Sequence, residues 1–195
     1  MAKTKLKGGA LLSPVPTVLV SCGKGEKANL ITIGWTGIVA THPPRLYISV
    51  RPERHSYGLI EDSGEFCVNL PSADIAKAVD FCGVRSGKDC DKFAETGLTK
   101  CESFEVECPS VAECPMTLEC KVCQKIPLGS HDMFIADIVA VSLNEELMDK
   151  NGRIMLEKAN LYAYVHGDYF SLGKKLGDFG YSVRKKKTVK KRMKK

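Results

Sequence analysis

The chain has 195 residues, 44% of them hydrophobic and 27% charged, with a formal net charge of +6. That length suits one domain with a sizeable core, and no apolar run approaches the roughly 20 residues a membrane helix requires. Nine basic residues and no acidic one crowd positions 184–195, so the body is mildly acidic and only the tail is basic.

The organisation that follows is a single domain over residues 1–183 and a basic tail over 184–195. The tail has no aromatic residue to stack on bases. It reads as a solvated, disordered terminus, with nucleic acid and membrane both set aside as partners. Met1–Lys5 lacks the apolar stretch and cleavage site of a signal peptide, and the expectation is a cytoplasmic protein. The nine cysteines then read as reduced thiols packing as small apolar residues, with no disulfide framework.

In chain order, Val15–Cys22 is a Val-rich strand with proline at its start. Gly23–Lys27 turns it into a second strand, Leu30–Ala40, so the pair is a hairpin. The corner His42-Pro43-Pro44 leads to a third strand, Arg45–Val50. Ser56–Asp62 is a short helix that Gly64 breaks, and Glu65–Leu70 is a strand. Ser72 caps a helix whose apolar positions Ile75, Ala76, Val79 and Phe81 recur at helical spacing. Gly83–Lys92 is a polar, glycine-bearing loop of the kind that carries function, and Phe93–Thr99 is a helical turn.

From Cys101 onward the pattern is β: Val111–Glu113, Met116–Ile126 and Met133–Leu143, the last two joined by a loop over Pro127–Asp132. Asn144–Lys150 is a helical turn, and Ala159–Tyr164 with Tyr169–Leu172 forms a final pair. Many short strands with few helices make the fold class mainly β, a closed barrel with short helices. The chain shows neither a dinucleotide fingerprint nor P-loop spacing.

The chemistry concentrates between Ala28 and Tyr57. The lone tryptophan, Trp35, sits among Gly34, Thr36 and Gly37, and a cluster of cations and hydroxyls follows: Arg51, Arg54, His55, Ser56 and Tyr57. Small residues let backbone N–H groups approach a ligand, and Arg54, Ser56 and a helix N-terminus make a phosphate seat. These residues alone specify an anionic, partly aromatic ligand.

At Asn29–Trp35, Ser86–Phe93 and Gly129–Asp132, and in the closing segment Gly167–Gly173, the chain resembles the flavin reductase-like family, flavoredoxin-like subgroup. The resemblance runs from about Pro14 to Tyr181. It implies an FMN-binding split barrel of Greek-key topology, a homodimer, and non-covalent FMN near the subunit interface. It also implies flavin redox chemistry: hydride from NAD(P)H, or electrons passed to and from a redox protein partner. The family's flavin contacts fall on Asn29, Thr32, Trp35, Ser56, Lys92, His131 and Tyr164. Ser49, Arg54 and Ser86 complete the candidate cofactor-binding set. No residue is assigned a catalytic role. His131 and Lys92 are candidates for tuning the flavin potential from the pyrimidine edge.

Each candidate also has a structural reading. Trp35 could be core, His131 an ordinary hairpin histidine, and Lys92 a solvated partner of Asp89 and Asp91. Arg54 and Ser56 could cap a helix, and His42 and His55 read as structural. Cys114 and Cys120 look like a subgroup feature, whereas Cys101, Cys108 and Cys123 have no family counterpart. Cys120 and Cys123 have zinc-like spacing, yet in a strand they point to opposite faces, so no metal is assigned.

Overall fold

The computed structural model describes residues 1–184. From 185 onward, the basic tail lies outside the described residues. Strands β1 (Val15–Pro16), β2 (Val18–Cys22), β3 (Asn29–Ile33), β4 (Thr36–Thr41) and β5 (Pro44–Val50) come first. Helix α1 (His55–Ser63), β6 (Glu65–Leu70), α2 (Ala76–Val84) and α3 (Lys92–Thr96) follow. Then come β7 (Lys100–Cys101), β8 (Ser110–Val111), β9 (Met116–Pro127), β10 (Asp132–Leu143), β11 (Tyr162–Val165) and β12 (Asp168–Ser171).

Seven strands form one antiparallel sheet in the order β3-β2-β6-β9-β10-β5-β4, and β1, β11 and β12 form a smaller one. The large sheet curls. Ile31 and Ile33 of β3 share one buried cluster with Leu46 and Ile48 of β5, together with Val18, Val20, Phe66 and Phe134. Its end strands, β3 and β4, are not paired with each other, so the barrel is split where strand content alone suggested closure. Ile60 of α1 packs against the same core and is fully buried.

Alternation explains the layers. Val18, Val20 and Cys22 face the barrel core, while Leu19 and Leu30 face a second cluster made by Cys82 of α2, Phe93 of α3, Leu98 and Val111. All five residues of β2 are therefore buried, as its unbroken V-L-V-S-C sequence demands. The expected Leu30–Ala40 strand is cut at Gly34-Trp35 into β3 and β4. The carbonyl of Trp35 accepts a hydrogen bond from the backbone N–H of Ser49 at 3.0 Å, which pins the break to the end of β5.

Two boundaries also move. The helix expected from Ser72 begins as a 3-10 turn, Ala73–Ile75, and Ser72 makes no side-chain cap. Asp91 caps α3 instead, its carboxylate accepting from the backbone N–H groups of Phe93 at 3.0 Å and Ala94 at 3.3 Å. Among the described residues no helix is long and apolar enough to cross a membrane. None of their His, Cys, Asp or Glu residues gather in threes to hold a metal. Cys120 is buried and Cys123 exposed.

Candidate functional site

A cavity of about 370 Å³ opens where β3 breaks, between the end of β5, the C-terminal end of α2 and the β11–β12 pair. Of the sequence-derived candidates, Thr32, Trp35, Ser49, Arg54, His131 and Tyr164 line it. The cut in the strand is what makes Trp35 available. The side chain escapes the core and stands 45% exposed, stacked against His131 at 4.5 Å with a 40° tilt.

This end of the cavity is cationic. Arg51 and Arg54 both line it. His131 is held below its ordinary pKa, first by burial and then by the Arg51 charge, so it is neutral at physiological pH. Its Nδ1 lies 3.0 Å from the Ser130 hydroxyl. A neutral imidazole beside an indole is a flat, polarisable wall next to two guanidinium groups.

The opposite end differs. Tyr169 donates its hydroxyl to Asp80 at 2.9 Å and its ring lies 5.4 Å from that of Tyr164. Burial and then Asp80 push the Tyr169 phenol up to about 12, so it stays a donor. Thr17, between β1 and β2, lines the same cavity, and its buried hydroxyl has no hydrogen-bond partner. Sequence reading missed Thr17, Asp80 and Tyr169. Only Tyr169 carried a signal, as part of the closing segment Gly167–Gly173.

Asn29, Ser56, Ser86 and Lys92 are not on this cavity wall. They gather behind it in a tight polar cluster that Arg54 also borders. Asn29 Nδ2 donates to Ser56 Oγ at 2.8 Å, and both residues are buried. Ser86 Oγ accepts from the Lys88 backbone N–H at 3.2 Å. Gly87 is obligatory here, because a Cβ would stand 2.3 Å from Asn29 Oδ1 and 2.7 Å from His55 Cδ2.

Lys92 corrects the reading of a solvated side chain balancing Asp89 and Asp91. It is 3% exposed, and its ammonium donates to the carbonyls of Leu30 and Cys82, each at 2.7 Å. Burial lowers its pKa, while the paired carbonyls supply the hydrogen bonds a buried cation needs. It ties α3 to β3 and the end of α2.

The sequence model of the "Flavin reductase like domain" matches residues 11–173. A protein from Archaeoglobus fulgidus is 33% identical over 138 residues, covering 71% of this chain and 77% of that protein. Among solved structures, the flavoredoxin of Desulfovibrio vulgaris (Miyazaki F) superposes with a TM-score of 0.87 at 28% identity, covering 94% of this chain and 100% of that one. The flavoredoxin from Methanosarcina acetivorans gives 0.84 at 26% identity, with the same coverage of both chains.

Proposed function

Because this chain belongs to the flavin reductase-like domain family, we propose that it binds FMN in the split-barrel cavity and works as a flavoredoxin-like oxidoreductase. The single observation that carries this is the cavity itself, which pairs an exposed aromatic wall with two arginines and an unpartnered buried hydroxyl. The donor set suits the group. Arg51 and Arg54 match an anionic phosphate or a reduced pyrimidine edge, and Trp35 with His131 matches a planar ring. Thr17 offers a hydroxyl whose hydrogen-bonding capacity is unused in the protein alone.

Bound flavin supplies reversible two-electron chemistry, taking hydride or electrons from NAD(P)H or a protein donor and passing them on. The chain's own part is to orient and to set charge. Trp35 and His131 fix the plane of whatever enters. Arg51 and Arg54 favour states with more negative charge nearby, which raises a flavin's reduction potential. The Tyr169–Asp80 bond keeps the far wall rigid and holds its proton at the phenol oxygen. The buried cluster of Asn29, Ser56 and Lys92 positions the loop and helix that carry Arg54 and Gly83.

The same proposal includes a homodimer. β4 ends the sheet, and Ile38 and Val39 on it are 62% and 50% exposed, close in sequence to Trp35. A second copy is the occupant that would cover them beside the cavity.

Titrating the full-length protein with FMN and following flavin fluorescence tests the central point. Saturable binding with retention through gel filtration is the expected result, with bleaching by NADH or NADPH under anaerobic conditions. Release of the flavin on the column, with turnover intact, moves the assignment to an NAD(P)H:flavin oxidoreductase that lets reduced FMN go. Binding without bleaching by any donor leaves a non-enzymatic flavin-binding module. Failure to take up FMN removes the proposal.

A further inference from the structure

On the far side of the sheet from the barrel core, two cysteine sulfurs meet. Phe66 and Val68 of β6 face the barrel, so Cys67 between them faces out, where it forms a small cluster with Val106 and Cys108. The Sγ atoms of Cys67 and Cys108 are 3.6 Å apart. Cys108 lies in the segment between β7 and β8, and that segment is held in place from several directions. Ser103 Oγ donates to the Cys108 carbonyl at 2.7 Å and sits 3.4 Å from Cys67 Sγ. The buried carboxylate of Glu119 accepts from the backbone N–H groups of Phe104 at 2.9 Å and Glu105 at 2.7 Å. A preorganised pair of thiols is thus built into a fold whose other cysteines mostly pack singly.

We propose that Cys67 and Cys108 form a dithiol site that a low-molecular-weight disulfide oxidises to an intramolecular disulfide. A disulfide needs its sulfurs at about 2.05 Å, so the two must close by roughly 1.5 Å, within the range of side-chain torsions. Access favours an order of events. Both residues are buried, but Cys108, 3% exposed, lines a cavity of about 490 Å³ that Lys24, Lys27 and Glu107 also border, whereas Cys67 lines none of it. The hydrogen bond to Cys67 and then burial push the Cys108 thiol up, so only its minor thiolate form reacts and the first step is slow; that thiolate attacks one sulfur of the reagent. The reagent's S–S bond breaks, and the first thiolate leaves and takes up the proton that Cys108 gave.

Cys67 then attacks the Cys108 sulfur of that mixed disulfide and expels the second thiolate, which takes the Cys67 proton. Two protein thiols are oxidised and one disulfide reagent is reduced to two thiols, so electrons and protons balance. The new bond would fasten the β7–β8 segment to β6, away from the flavin cavity, so this site stands or falls independently of the proposed function.

The test incubates the full-length protein with glutathione disulfide and maps the cross-links by digestion and fragmentation mass spectrometry. The expected result is a Cys67–Cys108 linkage that dithiothreitol reverses, with an unfolding temperature raised by several degrees in the oxidised protein. Cys108→Ser should abolish both the linkage and the shift. Should that variant fail to fold, the wild-type map decides alone. Absence of the linkage, or oxidation confined to the exposed Cys101 and Cys123, would overturn the proposal.

Discussion

The open cavity and the tight cluster behind it share Arg54 but spend their polar groups differently. In the cluster, Lys92 and Asn29 donate inward to carbonyls and a hydroxyl of the protein. In the cavity, Thr17 has no partner, Arg54 lines open space, Arg51 is held only by Glu53 at 3.4 Å among the described residues, and Trp35 is half exposed. Satisfied polar groups hold a structure together, whereas unsatisfied ones are capacity kept for something that arrives. Proximity in sequence to a motif does not tell the two apart, but their hydrogen-bond partners do.

Four substitutions test this division. The largest effect should come from Lys92→Ala, which removes the shared donor of two buried carbonyls. A loss of about 3 kcal/mol in urea unfolding is expected, and a loss of flavin affinity at unchanged stability would place Lys92 with the cavity instead. Trp35→Ala should do the reverse, weakening FMN binding about tenfold, or about 1.4 kcal/mol, with little change in unfolding midpoint. Unaltered affinity by fluorescence titration would remove Trp35 from the site.

Thr17→Val is subtler. It exchanges an orphaned buried hydroxyl for a methyl, so the free protein should gain about 0.5–1 kcal/mol while FMN affinity falls. A loss of stability would mean that the hydroxyl has a partner in solution. The smallest effect concerns His131. Its folded-state pKa lies below the ordinary value, so the unfolded chain takes up a proton first as pH falls. Acidification through that window therefore destabilises the wild type, and His131→Asn should lack this component when unfolding temperatures are compared between pH 7.5 and 5.5.

Much of the shell was legible because burial follows alternation. The β2–β3 hairpin, β5, β6 and the long β9–β10 pair all stand close to where apolar periodicity put them. The break at Trp35 was not, since Leu30–Ala40 is β-forming throughout and the Ser49 hydrogen bond that fixes the cut comes from another strand. The clustering of cations and hydroxyls pointed to Arg54 and Ser56 together, but only Arg54 lines the cavity, while Ser56 is buried behind it against Asn29. Lys92 read either as a flavin contact or as a solvated partner of its aspartate neighbours, and neither reading could see that its partners are carbonyls of β3 and α2. Thr17 and Asp80 gave no local sign, as each becomes a wall residue only when distant segments converge.

The double burial of β2 has a consequence for motion. Freeing that strand means stripping one apolar layer from the barrel side and another from the helix side together, so its backbone amides should be among the last to exchange with deuterated solvent. The cavity's β3 wall, Ile31 to Ile33, is paired to this strand along its length. Whatever breathing admits a guest must then come from the opposite rim, against the Tyr169–Asp80 hydrogen bond that ties β12 to α2.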